Sequence, residues 1–137
     1  MKDRRLPVLH SPVWLWGPVV LQMAVIFLAS SIHNLSRIPG GFSDKSGHSI
    51  GYGLLGLLLV RAIAGGRLRN ATLAGACVAI VVATLYGVSD EFHQSFVPGR
   101  DSDRYDVLAD FTGATLAAAA ALLASAARRW GILDSSS

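Results

Sequence analysis

Residues 71–89 read ATLAGACVAIVVATLYGVS, a stretch without one charged side chain. A helix needs about 20 mainly apolar residues to cross the hydrocarbon of a bilayer, and this block has that length. Its apolar residues run on continuously instead of recurring on one face, so no side is left for water. The same reading extends outward to residues 46–64, 13–31 and 107–127. Turn formers separate the blocks: Pro39, Gly40 and Gly41, then Gly65, Gly66 and Asn70, then Pro98 and Gly99. The expected fold is all-α, a single integral-membrane domain over residues 1–137 with four transmembrane helices and short connections.

Composition points the same way. Hydrophobic residues make up 52% of the chain and charged residues 15%, against roughly 25% charged in soluble domains. A net charge of +3 would suit nucleic acid, but the basic residues follow the spans. Lys2, Arg4 and Arg5 precede the first block, Arg61, Arg67 and Arg69 flank the second turn, and Arg128 and Arg129 follow the fourth block. Arg37, Lys45, Arg100 and Arg104 fall on the other side. The positive-inside bias then places both termini in the cytoplasm, and no nucleic-acid partner is expected. Most acids, Asp44, Asp90, Glu91, Asp101, Asp103, Asp106 and Asp110, lie toward the outer side.

The first block also resembles a signal peptide, with a basic start and small residues at Ala29, Ser30 and Ser31. Its apolar run exceeds the roughly 7–15 residues of a signal core, which favours a retained anchor. Cys77 is the sole cysteine; it excludes an intramolecular disulfide and a cysteine metal cluster, and reads as a small packed apolar side chain.

Ionisable groups inside spans are costly and call for partners or a purpose. On the second helix Lys45, His48 and Tyr52 share a face, with Ser49 and Gly56 beside them. Taken singly, each has a bland role: Lys45 snorkels, His48 bonds a neighbouring helix, and Tyr52 sits in the aromatic belt. The third helix is expected to stop near Val97, ahead of Pro98. It places Tyr86, Asp90, His93, Gln94 and Val97 on one face, with Glu91 on the flank and Phe92 and Phe96 roughly opposite. Ser102 is the expected N-cap of the fourth helix, where Asp101 and Asp103 favour the positive helix end. Capping leaves Asp106 and Asp110 unexplained; they continue the Asp103 face into an apolar span above Gly113, Ala114 and Ala117. The economical arrangement is one shared site in which Asp90, His93 and Asp106 converge with His48, with Arg100 and Arg104 available from the loop.

These motifs resemble the VanZ-like family, named for a protein associated with teicoplanin resistance. The resemblance rests on Lys45-x-x-His48-x-x-x-Tyr52, on Asp90-Glu91-x-His93-Gln94-x-Phe96-x-Pro98-Gly99-Arg100, and on Asp106 followed by Gly113 in a small-residue helix. It covers about residues 15–127, and Asp110 stands where many members carry Asn. It implies a multi-pass protein of the bacterial plasma membrane that affects how such antibiotics engage the cell envelope, and it implies no reaction.

Three functions fit the side chains. The first is an envelope protein that binds a membrane lipid or a lipid-linked cell-wall precursor at the outer face and lowers teicoplanin susceptibility. Its ligand-binding set is Lys45, His48, Tyr52, Asp90, His93, Gln94, Arg100, Asp106 and Asp110. The second is a membrane hydrolase or transferase with His48, Asp90, Glu91, His93 and Asp106 as catalytic candidates. A metal version would draw on His48, His93, Glu91 and Asp106, but these lack local ligand spacing, so no metal and no cofactor is expected. The third is a small proton-coupled carrier, which four spans would support as a homo-oligomer through Gly113 and Ala117 or through Gly51, Gly53 and Gly56.

Overall fold

The structure, a computed structural model, describes residues 11–32 and 44–131. Lys2, Arg4, Arg5, Arg37, Pro39, Gly40 and Gly41 lie outside them. Four α-helices follow one another: α1 (Pro12–Ser30), α2 (Asp44–Ile63), α3 (Leu73–Gln94) and α4 (Arg104–Arg129), with a 3-10 turn at Leu68–Asn70 before α3. Among the described residues there is no strand. Each helix is long and apolar enough to cross a membrane, as the apolar blocks predicted.

The helix ends depart from the block edges because capping, not hydropathy, sets them. Thr72 starts α3 by accepting the Gly75 N–H at 3.1 Å. Asp103, not Ser102, caps α4: its carboxylate accepts the Tyr105 N–H at 2.9 Å, while its own N–H donates to Glu91 Oε2 at 2.8 Å. That second bond fixes Asp103 in the extended conformation a cap requires. At its far end α3 stops at Gln94, short of Val97. The chain tightens there into i→i+3 bonds, Phe96 to His93 and Val97 to Gln94, before Gly99 reverses it at φ 79°.

The helices alternate in direction. At one end Arg61 reaches the Trp14 carbonyl, and Ser125 and Arg129 reach the carbonyls of Arg69 and Ala71. Arg61, Arg67, Arg69, Arg128 and Arg129 thus gather at this basic end. At the other, polar end Ser31 meets His93 and Lys45 meets Asp103. The Trp14 carbonyl is open to Arg61 because Pro18, four residues on inside α1, has no N–H to occupy it.

On α3 and α4 the inner face holds small and polar residues and the outer face the large apolar ones, while α2 buries Tyr52, Leu55, Leu59 and Val60. On α3, Ala76, Ala79, Ala83, Gly87, Asp90, Glu91 and Gln94 are buried, while Leu73, Val78, Val81, Leu85 and Phe92 are exposed. Lipid solvates the outer face, so close backbone approach and polar contacts drive the packing. Cys77 lies on that exposed face; a thiol is apolar enough for lipid, so it was not needed as packing.

The closest approach joins α2 to α4. A Cβ on Gly56 would lie 2.9 Å from Ala114 Cα, one on Gly53 would lie 3.3 Å from the Gly113 carbonyl, and one on Gly113 would collide with the Ser49 carbonyl. The small-residue faces of Gly53, Gly56 and Gly113 therefore meet each other within the chain.

Candidate functional site

The α2–α4 contact carries polar side chains at its upper end. Lys45, His48 and Tyr52 are spaced to share one face of α2, and Asp103, Asp106 and Asp110 one face of α4 and its cap. Lys45 Nζ donates to Asp103 Oδ2 at 2.8 Å and to Asp106 Oδ1 at 3.3 Å. One turn deeper, His48 Nδ1 lies 2.9 Å from Asp110 Oδ1, and Ser49 Oγ donates to the Ala109 carbonyl at 3.0 Å. Gly87 of α3 makes room for the Asp110 carboxylate, since a Cβ there would strike Asp110 Oδ2.

From α3, Glu91 enters beside His48: its Oε1 is 3.8 Å from His48 Nε2, and Asp106 Oδ2 is 4.0 Å from the same nitrogen. Gln94 Nε2 donates to Asp90 Oδ2 at 3.1 Å and more weakly to Glu91 Oε1 at 3.5 Å. All of Asp90, Glu91, Gln94, Asp106 and Asp110 are buried. Tyr52 stacks parallel to His48 with ring centres 6.0 Å apart. The Tyr52 hydroxyl, Asp90 Oδ1, Gln94 Oε1 and Asp110 Oδ2 are buried without a hydrogen bond of ordinary geometry. Buried polar atoms left so are few in native proteins, and each calls for a ligand, a water or a proton.

At the surface end, the Lys45 ammonium and the Tyr105 N–H hold the Asp103 carboxyl below its ordinary range. Arg104 stacks over the Tyr105 ring at 5.4 Å and stays at the periphery.

His93 is the departure from the shared site. It turns toward α1, where its Nε2 lies 3.0 Å from Ser31 Oγ and its ring stacks on Phe27 at 4.4 Å. Glu91, expected on the flank, takes the place beside His48. Asp90 and Asp106 are where the spacing put them. Arg100 packs against α1, its Nη2 donating to the Ala29 carbonyl at 3.2 Å.

A cleft of about 90 Å³ runs into this network between α1 and α2, lined by Ile26, Ser30, Gly47, His48, Gly51, Tyr52, Asp90 and Arg100. Sequence reasoning missed the α1 side of it, Ile26 and Ser30, and the Ser31 partner of His93. The first block carried no motif, and a serine pair ending an apolar run gave no other signal.

The VanZ/LLP1 family model matches residues 15–125. The chain belongs to the VanZ/LLP1 family. The match runs from within α1 to within α4 of this VanZ-like protein and includes each residue of the polar end described above. No curated protein and no solved structure matches it.

Proposed function

We propose that this VanZ-like protein binds the anionic headgroup of an envelope lipid or lipid-linked cell-wall precursor, and thereby lowers susceptibility to glycopeptides such as teicoplanin. The observation that carries this reading is the cleft between α1 and α2, which His48, Tyr52, Asp90 and Arg100 line. α1 is the least buried helix, and Gly47 and Gly51 leave gaps on the opposite wall beside His48 and Tyr52. Such an opening suits a ligand that arrives through the bilayer. The Arg100 guanidinium offers the planar fork that suits phosphate or carboxylate. A volume of about 90 Å³ admits one small polar group, so a larger precursor would leave its sugar and peptide outside.

The outer face is part of the same proposal. Arginines crowd the opposite end, which the positive-inside bias assigns to the cytoplasm of a bacterial plasma membrane, with both termini there. A C-terminal reporter active only in the cytoplasm would agree with this, and one active only outside would reverse it.

The binding itself is tested by extracting the protein with its native lipids and identifying what it retains by mass spectrometry. Enrichment of a phosphate-bearing lipid, lost in Arg100→Ala and Asp90→Asn, supports the reading. A lipid profile identical to that of the bulk membrane overturns it.

A second reading, acid/base hydrolysis or transfer on a lipid-linked substrate, draws on the Asp110 carboxylate that holds His48 as a general base is held. Turnover of the retained lipid by the purified protein would favour it over binding alone.

A further inference from the structure

His48 has its two ring nitrogens in different surroundings. Nδ1 is 2.9 Å from Asp110 Oδ1; in the neutral tautomer that donates there, Nε2 presents its lone pair to Glu91 Oε1 and Asp106 Oδ2. At 3.8 and 4.0 Å these contacts are too long for hydrogen bonds. Lone pairs of three buried ligating groups face one another across a gap, and their atoms all lie within 4.8 Å of each other.

That spacing is near what a cation demands. Zinc-type bonds to nitrogen and oxygen are about 2.0–2.2 Å, which sets neighbouring ligand atoms about 3.3–3.6 Å apart in a tetrahedral site. The two pairs that include His48, at 3.8 and 4.0 Å, need to close by only a few tenths of an ångström, and the whole set, within 4.8 Å, by no more than about 1.5 Å. The outer oxygen of each carboxylate is already held: Glu91 Oε2 accepts the Asp103 N–H at 2.8 Å, and Asp106 Oδ1 accepts from Lys45 at 3.3 Å. With Asp110 behind the imidazole, all three groups have the supporting partners that orient metal ligands.

We propose that His48 Nε2, Glu91 Oε1 and Asp106 Oδ2 form a binding site for a divalent transition-metal ion of the zinc type, with Asp110 orienting the imidazole. The imidazole favours such an ion over magnesium or calcium, which prefer oxygen throughout. Three protein ligands leave a further position for a water or for an oxygen of an anionic ligand. This last step rests on the headgroup reading, and it explains how a site with four buried carboxylates, Asp90, Glu91, Asp106 and Asp110, receives a negatively charged group. The ion reaches the site past the half-exposed Lys45–Asp103 pair at the end of the bundle.

The test uses tag-free full-length protein in nanodiscs, stripped with a chelator and titrated with Zn²⁺ by calorimetry and with Co²⁺ by visible absorption. The expected result is one ion per chain, with affinity at least about 10-fold lower in Glu91→Gln and in Asp106→Asn, and about 10- to 100-fold lower in Asp110→Asn. Circular dichroism of the metal-free variants establishes that each is folded, and the near-isosteric Glu91 and Asp106 substitutions carry the test should a His48 variant not fold. No uptake by the folded parent protein overturns the proposal, as does uptake that both carboxylate substitutions leave unchanged. Lipid retention by a parent protein that takes up no ion would sink the metal site while sparing the headgroup reading; metal uptake without lipid retention would do the reverse.

Discussion

His48 Nδ1 of α2 and Asp110 Oδ1 of α4 lie 2.9 Å apart in the interior of the bundle, with Asp110 fully buried. This contact joins the two most closely packed helices at the level where their small-residue faces begin. It also fixes the plane of the imidazole that faces Glu91 and Asp106.

Removing one partner of a buried pair strands the other, at a cost of about 3–5 kcal/mol. His48→Ala is therefore expected to lower thermal stability by about that amount. Asp110→Asn is milder, because the amide oxygen still accepts from Nδ1. Unfolding midpoints in detergent should rank parent, Asp110→Asn, His48→Ala. Equal midpoints for the two variants would mean that the pair is not the fastening described.

Close approach of α2 and α4 depends on Gly113, whose added Cβ would collide with the Ser49 carbonyl. Gly113→Ala should cost about 1–3 kcal/mol through overpacking. Gly47→Ala, on the exposed α1 side of α2, meets nothing within 4 Å and gains helix propensity, so it should be neutral or slightly stabilising. Thermal denaturation of both variants checks the contrast, and a harmless Gly113→Ala would contradict the packing.

Legibility of the sequence ended at helix orientation. The four blocks were plain because lipid requires long uninterrupted apolar runs, and the α2 and α4 polar faces were plain because i, i+3 and i+7 spacing keeps side chains together. On α3 the spacing was ambiguous. At 3.6 residues per turn, His93 lies about 60° to one side of Asp90 and Glu91 about 100° to the other. Which of them enters the cluster depends on which neighbour packs on which side. α4 packs on the Glu91 side and α1 on the His93 side, so Glu91 joins His48 and His93 joins Ser31. Nothing in α3 itself encodes that choice. The cap at Asp103 was hidden similarly, because Ser102 is as good a cap until Glu91 arrives to take the Asp103 N–H.

The Lys45–Asp103 pair gives a pH signature. The Asp103 carboxyl is held below its ordinary range by the Lys45 ammonium, so its contribution is fully present above the unfolded value of about 3.9 and is lost as pH falls through the lower folded value. The difference in stability between the parent and Asp103→Asn should accordingly stay constant from neutrality down to about pH 4 and shrink below it. Both groups are solvent-exposed, so the difference is small and salt-sensitive. A difference that grows toward acid would contradict the assignment.

The proposed role of the buried polar end is binding, not structural pairing alone. Teicoplanin susceptibility of cells producing the parent protein, His48→Gln, Asp90→Asn or Asp106→Asn at matched membrane abundance tests it most directly. Binding at this end requires reduced susceptibility with the parent protein and loss of that protection in all three variants while each remains inserted. Unchanged protection by the variants at normal abundance would contradict it.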